Sequence, residues 1–279
     1  MAKADAKDTR FPTPKPLASH GPARIIAMCN QKGGVGKTTS TMNIAAALAE
    51  YGRKVLLVDF DPQGALSAGL GINAYTDEPT ILNLLIKRDL KTADVIRETS
   101  VENLHVIPAN IDLAAAEIQL VSEMNREHSL KRVLKQVADD YDVILIDCQP
   151  SLGLLTVNAL TAAHGVIIPL APEFFALRAV ALLEDIMAKV RDSENNAALT
   201  MDAILVTMYD NRTLHSREVM EMLRAKFDDK LLRTEIPRTV KFSDATVSRT
   251  PITQFAPDSA GAEAYRAVAR ELVARGCTP

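Results

Sequence analysis

The stretch Lys32-Gly33-Gly34-Val35-Gly36-Lys37-Thr38-Thr39 decides the fold of this 279-residue chain. Together with Asn30-Gln31 it follows the pattern Gly-x-x-x-x-Gly-Lys-Thr in a form that relaxes the first glycine. The apolar run Arg24 to Cys29 reads as a buried strand before the loop. After it, Thr39 to Tyr51 carries Met42, Ile44, Ala45, Leu48 and Ala49 at helical spacing. Glycines at 33, 34 and 36 permit backbone dihedrals that a side chain forbids, so successive amide N–H groups can converge on an anion at the positive end of the following helix. In such a loop Lys37 places a point charge on β- and γ-phosphates, the Thr38 hydroxyl is placed to ligate Mg²⁺, and Thr39 lies toward the α-phosphate.

An isolated glycine-rich turn between strand and helix has a plainer reading as a tight turn, and two further segments argue against it. Lys54 to Asp59 is an apolar strand running into Asp59-Phe60-Asp61-Pro62-Gln63-Gly64, and Asp142 to Asp147 is another that ends in a carboxylate. In an open parallel sheet the ligand crevice lies at the carboxyl ends of the strands, where Cys29, Asp59, Asp61 and Asp147 all emerge. Asp147 takes the position of an aspartate that holds Mg²⁺ through water. Asp61, beyond its strand, is placed to orient an attacking water. A lone strand-terminal aspartate also serves as a turn former or helix cap, so the case rests on convergence. The fold class expected is α/β, a phosphate-loop NTPase with a mostly parallel twisted sheet and helices on both faces. Further strands are expected over 166–170 and 201–207, and helices over 154–163, 175–190, 216–227 and 262–275.

These blocks, with Ile146-Asp147-Cys148-Gln149-Pro150-Ser151-Leu152-Gly153, Thr207-Met208-Tyr209-Asp210 and Ile236-Pro237-Arg238-Thr239-Val240-Lys241, resemble the ParA/Soj branch of the deviant-Walker ATPases. The resemblance spans about residues 24 to 275. It implies that Lys32 is a signature lysine reaching across a two-fold axis to the nucleotide of a second subunit, with Gly33 on that dimer face. It also implies that Lys37 and Thr38 bind phosphate and Mg²⁺, that Asp61 supports hydrolysis, and that Asp147 belongs to a second switch. Met208, Pro237 and Arg238 would contact adenine. Non-specific DNA would meet Arg212, Arg217, Lys241 and Arg249, and a ParB-like partner would stimulate hydrolysis and release. Gln149 departs from the family, where a second proline commonly stands.

Base identity is read from an absence: the strand ending at Thr207-Met208-Tyr209-Asp210 lacks the Asn/Thr-Lys-x-Asp sequence that reads guanine, which favours ATP. Overall charge does not argue for nucleic acid, since 32 Lys+Arg stand against 35 Asp+Glu. Between Thr207 and Thr250 basic residues only slightly outnumber acidic ones, so DNA binding rests on the resemblance. Three related roles stay open. A ParA relative could position division or other machinery without a chromosomal centromere. A MinD-like division regulator would need a membrane-targeting C-terminal helix, whereas Ala262 to Arg275 reads as a helix packed on the domain. An iron–sulfur component like the nitrogenase iron protein would need exposed cysteines on a dimer face, and Cys29 and Cys148 read as small buried groups at strand ends.

No apolar run approaches the roughly 18 residues of a membrane span, and three cysteines without Cys-x-x-Cys spacing fit a reducing compartment. A cytoplasmic, nucleoid-associated protein with no membrane contact is the expectation. Residues 1–23, with Pro12, Pro14, Pro16 and Pro22, read as a disordered arm, and 24–279 as one ATPase domain.

Overall fold

The computed structural model describes residues 10–75 and 78–279. The chain runs through β1 (Arg24–Met28), α1 (Lys37–Glu50), β2 (Val55–Phe60), α2 (Ala65–Gly69) and α3 (Ile81–Ile86). It continues through β3 (Arg97–Glu98), β4 (Leu104–Ile107), α4 (Ala116–Gln119), α5 (Ser129–Lys135), β5 (Val143–Cys148) and α6 (Leu154–Ala162). The last part comprises β6 (Gly165–Leu170), α7 (Ala176–Asp192), β7 (Thr200–Val206), α8 (Leu214–Phe227), α9 (Lys241–Val247), α10 (Ile252–Phe255) and α11 (Ala260–Ala274).

The strands form one sheet in the order β3-β4-β2-β5-β1-β6-β7, parallel throughout except for the β3–β4 pair at one edge. Their uninterrupted apolar runs follow from burial on both faces. Alternate residues sort to opposite sides: Ile25, Ala27, Leu56, Val58, Ile144 and Ile146 join the core under α3, α5, α6, α7 and α8. Ile26, Met28, Val55, Leu57, Val143 and Leu145 join the core under α1 and α11. On that second face Tyr265, Val268 and Leu272 of α11 are fully buried, as the periodicity of the C-terminal segment predicts.

Register brings the chemistry to one edge. Met28 pairs with Asp147 and Asp59 pairs with Asp147, so β1, β5 and β2 end together. At the opposite edge His164 closes the β1–β6 ladder with its side chain: Ile25 N–H donates to His164 Nδ1 at 2.9 Å, and His164 N–H donates to Ile25 O at 2.7 Å.

The arm differs from expectation over its described part. Residues 10–23 lie against the domain: Arg10 donates to Arg233 O at 2.8 Å and Arg53 donates to Lys15 O at 2.7 Å. His20 Nδ1 meets the buried Asp142 carboxylate at 2.7 Å, and that carboxylate also accepts from Gly21 N–H at 3.0 Å and Lys54 N–H at 2.7 Å. A buried carboxylate needs several donors, and the arm supplies two of them. Residues 1–9 of the expected arm lie outside the described residues.

Candidate nucleotide-binding site

The glycine loop joins the end of β1 to the start of α1. Gly34 and Gly36 hold φ of 73° and 75°, the left-handed region that favours glycine. Gly33 has no such φ, and a Cβ there would meet nothing within 4 Å, so its open side faces outward. Gly36 precedes α1 with no side-chain cap, which leaves the first N–H groups of a 14-residue helix available to an anion. Both ends of the loop are tied to neighbouring strands. Asn30 donates to Pro169 O at 2.8 Å and accepts from Lys32 N–H at 2.9 Å, while Thr207 Oγ1 donates to Val35 O at 2.8 Å. Lys37, 7% exposed, folds its ammonium back to Lys32 O at 3.2 Å, inside the curve of the loop.

Asp147 is fully buried and accepts from Thr38 Oγ1 at 2.7 Å and from Thr41 Oγ1 at 3.1 Å. Burial pushes its carboxyl up to about 6 against the opposing pull of the two hydroxyls and Lys37. Its strand neighbour Asp59 is pushed up to about 7, first by burial and then by the Asp147 charge. The two aspartates that β2 delivers have different surroundings. Asp59 is committed to α2, accepting Ser67 N–H at 2.8 Å and Ser67 Oγ at 2.6 Å. Asp61 is half-buried and, among the described residues, its carboxylate accepts only Gln63 N–H, at 2.9 Å, which leaves carboxylate capacity for the crevice. Among the described residues no cluster of three or more His, Cys, Asp or Glu side chains forms a complete metal cage. Thr38 and Asp147 present two hard oxygens in contact, which fits Mg²⁺, an ion that keeps waters and takes phosphate oxygens.

Beside Gly36 and Thr39 opens a cavity of about 270 Å³ lined by Thr207, Met208, Pro237 and Arg238. The structure thus brings together Met208, Pro237 and Arg238, which the family resemblance implies as contacts of a base. Ile236 N–H donates to Val206 O at 2.8 Å and Tyr209 N–H to Ile236 O at 2.9 Å, so the segment runs on beside β7 as a strand extension. Met208 turns into the pocket at φ 53°. Sequence reasoning missed Phe242, Ser243, Thr246 and Tyr265, which complete the lining. Tyr265 is buried, shares a 3.1 Å hydrogen bond with Ser40, and meets Phe242 edge to face at 5.6 Å. Its helical spacing showed only packing, and nothing in the sequence paired it with Ser40.

The remaining expected residues lie apart from this cluster. Lys32 pairs with Glu173, beside the exposed Phe174 and Phe175 on the loop before α7. Arg212 is 85% exposed and bound through Nε and Nη2 to Asp210 at 2.8 and 2.7 Å. Arg217 is exposed on α8, exposed Lys241 is the first residue of α9, and exposed Arg249 follows that helix. All three cysteines are buried and free. Cys29 and Cys148 touch at 3.1 Å, and that hydrogen bond together with burial raises the Cys148 thiol far above the ordinary thiol range. No described helix is long and apolar enough to cross a membrane.

A parallel sheet with a glycine loop, a lysine inside it, a Thr–Asp contact beneath it and a base-sized cavity alongside defines a phosphate-loop NTPase. Residues 23–201 match the family described as an AAA domain. An uncharacterised protein of Mycobacterium tuberculosis is 58% identical over 95% of this chain and 83% of its own length. The chromosome-partitioning ATPase Soj of Treponema pallidum is 48% identical over 90% of this chain and 98% of its own. A crystal structure of cobyrinic acid a,c-diamide synthase from Mycobacterium smegmatis with bound ATP analog and magnesium is similar at 41% identity and TM-score 0.78, covering 90% of this chain and 94% of that one. The chain belongs to the Soj/ParA family of chromosome-partitioning ATPases.

Proposed function

We propose that this chain is a Mg²⁺-dependent ATPase whose ATP-bound form pairs two copies across the face carrying Lys32 and Gly33. That dimer binds DNA without sequence preference and is released when a ParB-like partner stimulates hydrolysis. The observation that carries the reading is the 2.7 Å contact of Thr38 with Asp147 beneath a loop whose Lys37 is folded inside it, next to a cavity lined by Met208, Pro237 and Arg238.

Roles follow from position. The amides of Gly33 to Thr39 and the Lys37 ammonium hold the phosphates, and Thr38 with Asp147 holds Mg²⁺, Asp61 assisting from beyond β2. Mg²⁺ held there would supply charge neutralisation for the phosphates. Asp61 orients water for attack, since Asp59 is occupied by Ser67. Met208, Pro237 and Arg238 enclose adenine. Lys32 exchanges Glu173 for the phosphates held by the second copy. Arg212, Arg217, Lys241 and Arg249 contact the DNA backbone, doubled by the dimer, which places the protein on the nucleoid in the cytoplasm.

Retention on DNA by the wild type and by Asp61→Ala tests this, with ATP, ADP or no nucleotide, over a salt series. ATP-dependent retention that strengthens in Asp61→Ala and weakens with salt supports the cycle. Equal retention by Lys37→Ala with ATP overturns it.

A further inference from the structure

The loop from Gln149 to Gly153 follows directly on Asp147-Cys148 and leads into α6. Its two ends close on one carboxylate. Gln149 Nε2 donates to Glu117 Oε1 at 3.2 Å, which partners the residue that departs from the family pattern. At the other end, a Cβ on Gly153 would fall 2.3 Å from the same Glu117 Oε1. Gly153 has φ −81°, which any residue adopts, so a side chain there meets no backbone penalty and fits only if the end of the Glu117 side chain swings aside. Glu117 is half-buried on α4, a segment that Ala116 and the flanking Leu113 and Leu120 fix to the core while Ile118 is exposed.

We propose that Glu117 is a positioning residue for the loop after Asp147: it is the post around which residues 149–153 fold, with Gln149 as its matched donor. The inference rests on the ATPase reading for its consequence in catalysis, while the positioning itself is a property of the loop. Glu117 lies on α4, outside the glycine loop, so nucleotide affinity is carried by residues it does not touch. Loss of the contact therefore falls on turnover. Any side chain at 153 drives the carboxylate off Gln149, so Gly153→Ala acts as a second route to the same loss.

The test uses the full chain in wild-type form and as Glu117→Ala, Gln149→Ala, Gln149→Glu, Gly153→Ala and the swap Glu117→Gln with Gln149→Glu. ATP dissociation constant, steady-state kcat and amide hydrogen exchange over residues 148–158 are measured on each. The single variants are expected to lower kcat roughly three- to tenfold with affinity within about twofold, and to speed exchange in 148–158 but not in β1. Gln149→Glu, which sets two carboxylates face to face, is expected to be the worst. The swap restores an amide–carboxylate bond with its direction reversed, so kcat and exchange return toward wild type. A swap no better than Gln149→Glu, or kcat and exchange in Glu117→Ala and Gln149→Ala within about twofold of wild type, overturns the proposal. A wild type that hydrolyses no ATP sinks the ATPase reading alone, because the exchange measurements still decide the positioning.

Discussion

Replacing Thr207 by valine removes one buried hydroxyl and almost nothing else, and the expected cost appears in nucleotide affinity. Thr207 and Val35 are each 2% exposed, and the hydroxyl donates to Val35 O at 2.8 Å, joining the glycine loop to the strand end that lines the base cavity. Valine keeps the shape and forfeits a net contribution of about 1 kcal/mol, and it leaves a buried carbonyl whose lack of a partner costs about 1–3 kcal/mol. The loop can lower that cost by turning Val35 O toward water, which moves the amides beside Gly34 and Gly36 out of register with a phosphate. Binding must then restore the buried geometry, so about 1–2 kcal/mol is charged to ATP affinity, roughly a five- to thirtyfold rise in Kd. Isothermal titration with ATP and Mg²⁺ measures it, with Thr207→Ser as the control that keeps the hydroxyl. A Thr207→Val Kd within twofold of wild type refutes the claim that this bond preorganises the loop.

Three other expectations follow from particular contacts. Tyr265→Phe keeps the edge-to-face contact with Phe242 but strips the bond to Ser40, and calorimetry should show a loss of about 1 kcal/mol, or about 2–4 °C in Tm. His164 accepts Ile25 N–H on Nδ1, and burial, followed by the charges of Arg24 and Lys131, lowers its pKa. The folded state therefore holds fewer protons on it than the unfolded state. Its stabilisation is complete above the unfolded value of about 6.5 and is lost as pH falls through that region, so the denaturant midpoints of wild type and His164→Ala should converge from pH 8 to pH 5. Arg217→Ala should reduce the slope of log K for DNA against log salt by about 2, one phosphate contact from each copy of the dimer; an unchanged slope removes Arg217 from the DNA surface.

The strands that carry the site were readable because burial on both faces leaves them unbroken apolar runs, and β1, β2 and β5 each deliver the residues that follow to one edge. The glycine loop was readable because left-handed angles at Gly34 and Gly36 demand glycine. Between Gly64 and Tyr141 the sequence carried little signal, since α2 to α5 span 4 to 7 residues each, too few turns to set a period. The base cavity was half legible: Met208 and Pro237 sit in short distinctive segments, while Tyr265 lies in a helix where an aromatic at core spacing looks like packing. The contacts of the arm with Asp142 and Arg53 were invisible for a related reason, because the Gly21 amide and Lys15 carbonyl donate or accept whatever the residue, and nothing in the sequence paired His20 with Asp142.

The same distinction between fixed and movable parts runs through the site. Its binding half is fixed: Asn30 and Thr207 anchor the loop to the ends of the adjacent strands β6 and β7, and Tyr265, Phe242 and Ser40 are packed beneath the base cavity. Moving Asn30, Thr207, Tyr265 or Ser40 leaves a buried polar group without its partner. The Lys32–Glu173 pair is half in solvent, with side chains 42% and 59% exposed, and an exposed ion pair contributes only about 0–1 kcal/mol. Lys32 can therefore leave Glu173 for a stronger anion at small cost, while Lys37 is held inside the loop by Lys32 O. Two lysines five residues apart thus differ in the property that the proposed dimer-dependent cycle requires: one is fixed within its own loop and the other is free to be exchanged. Glu173→Gln separates these cases, since it should leave ATP affinity of the isolated chain unchanged within twofold while altering the ATP concentration at which copies associate.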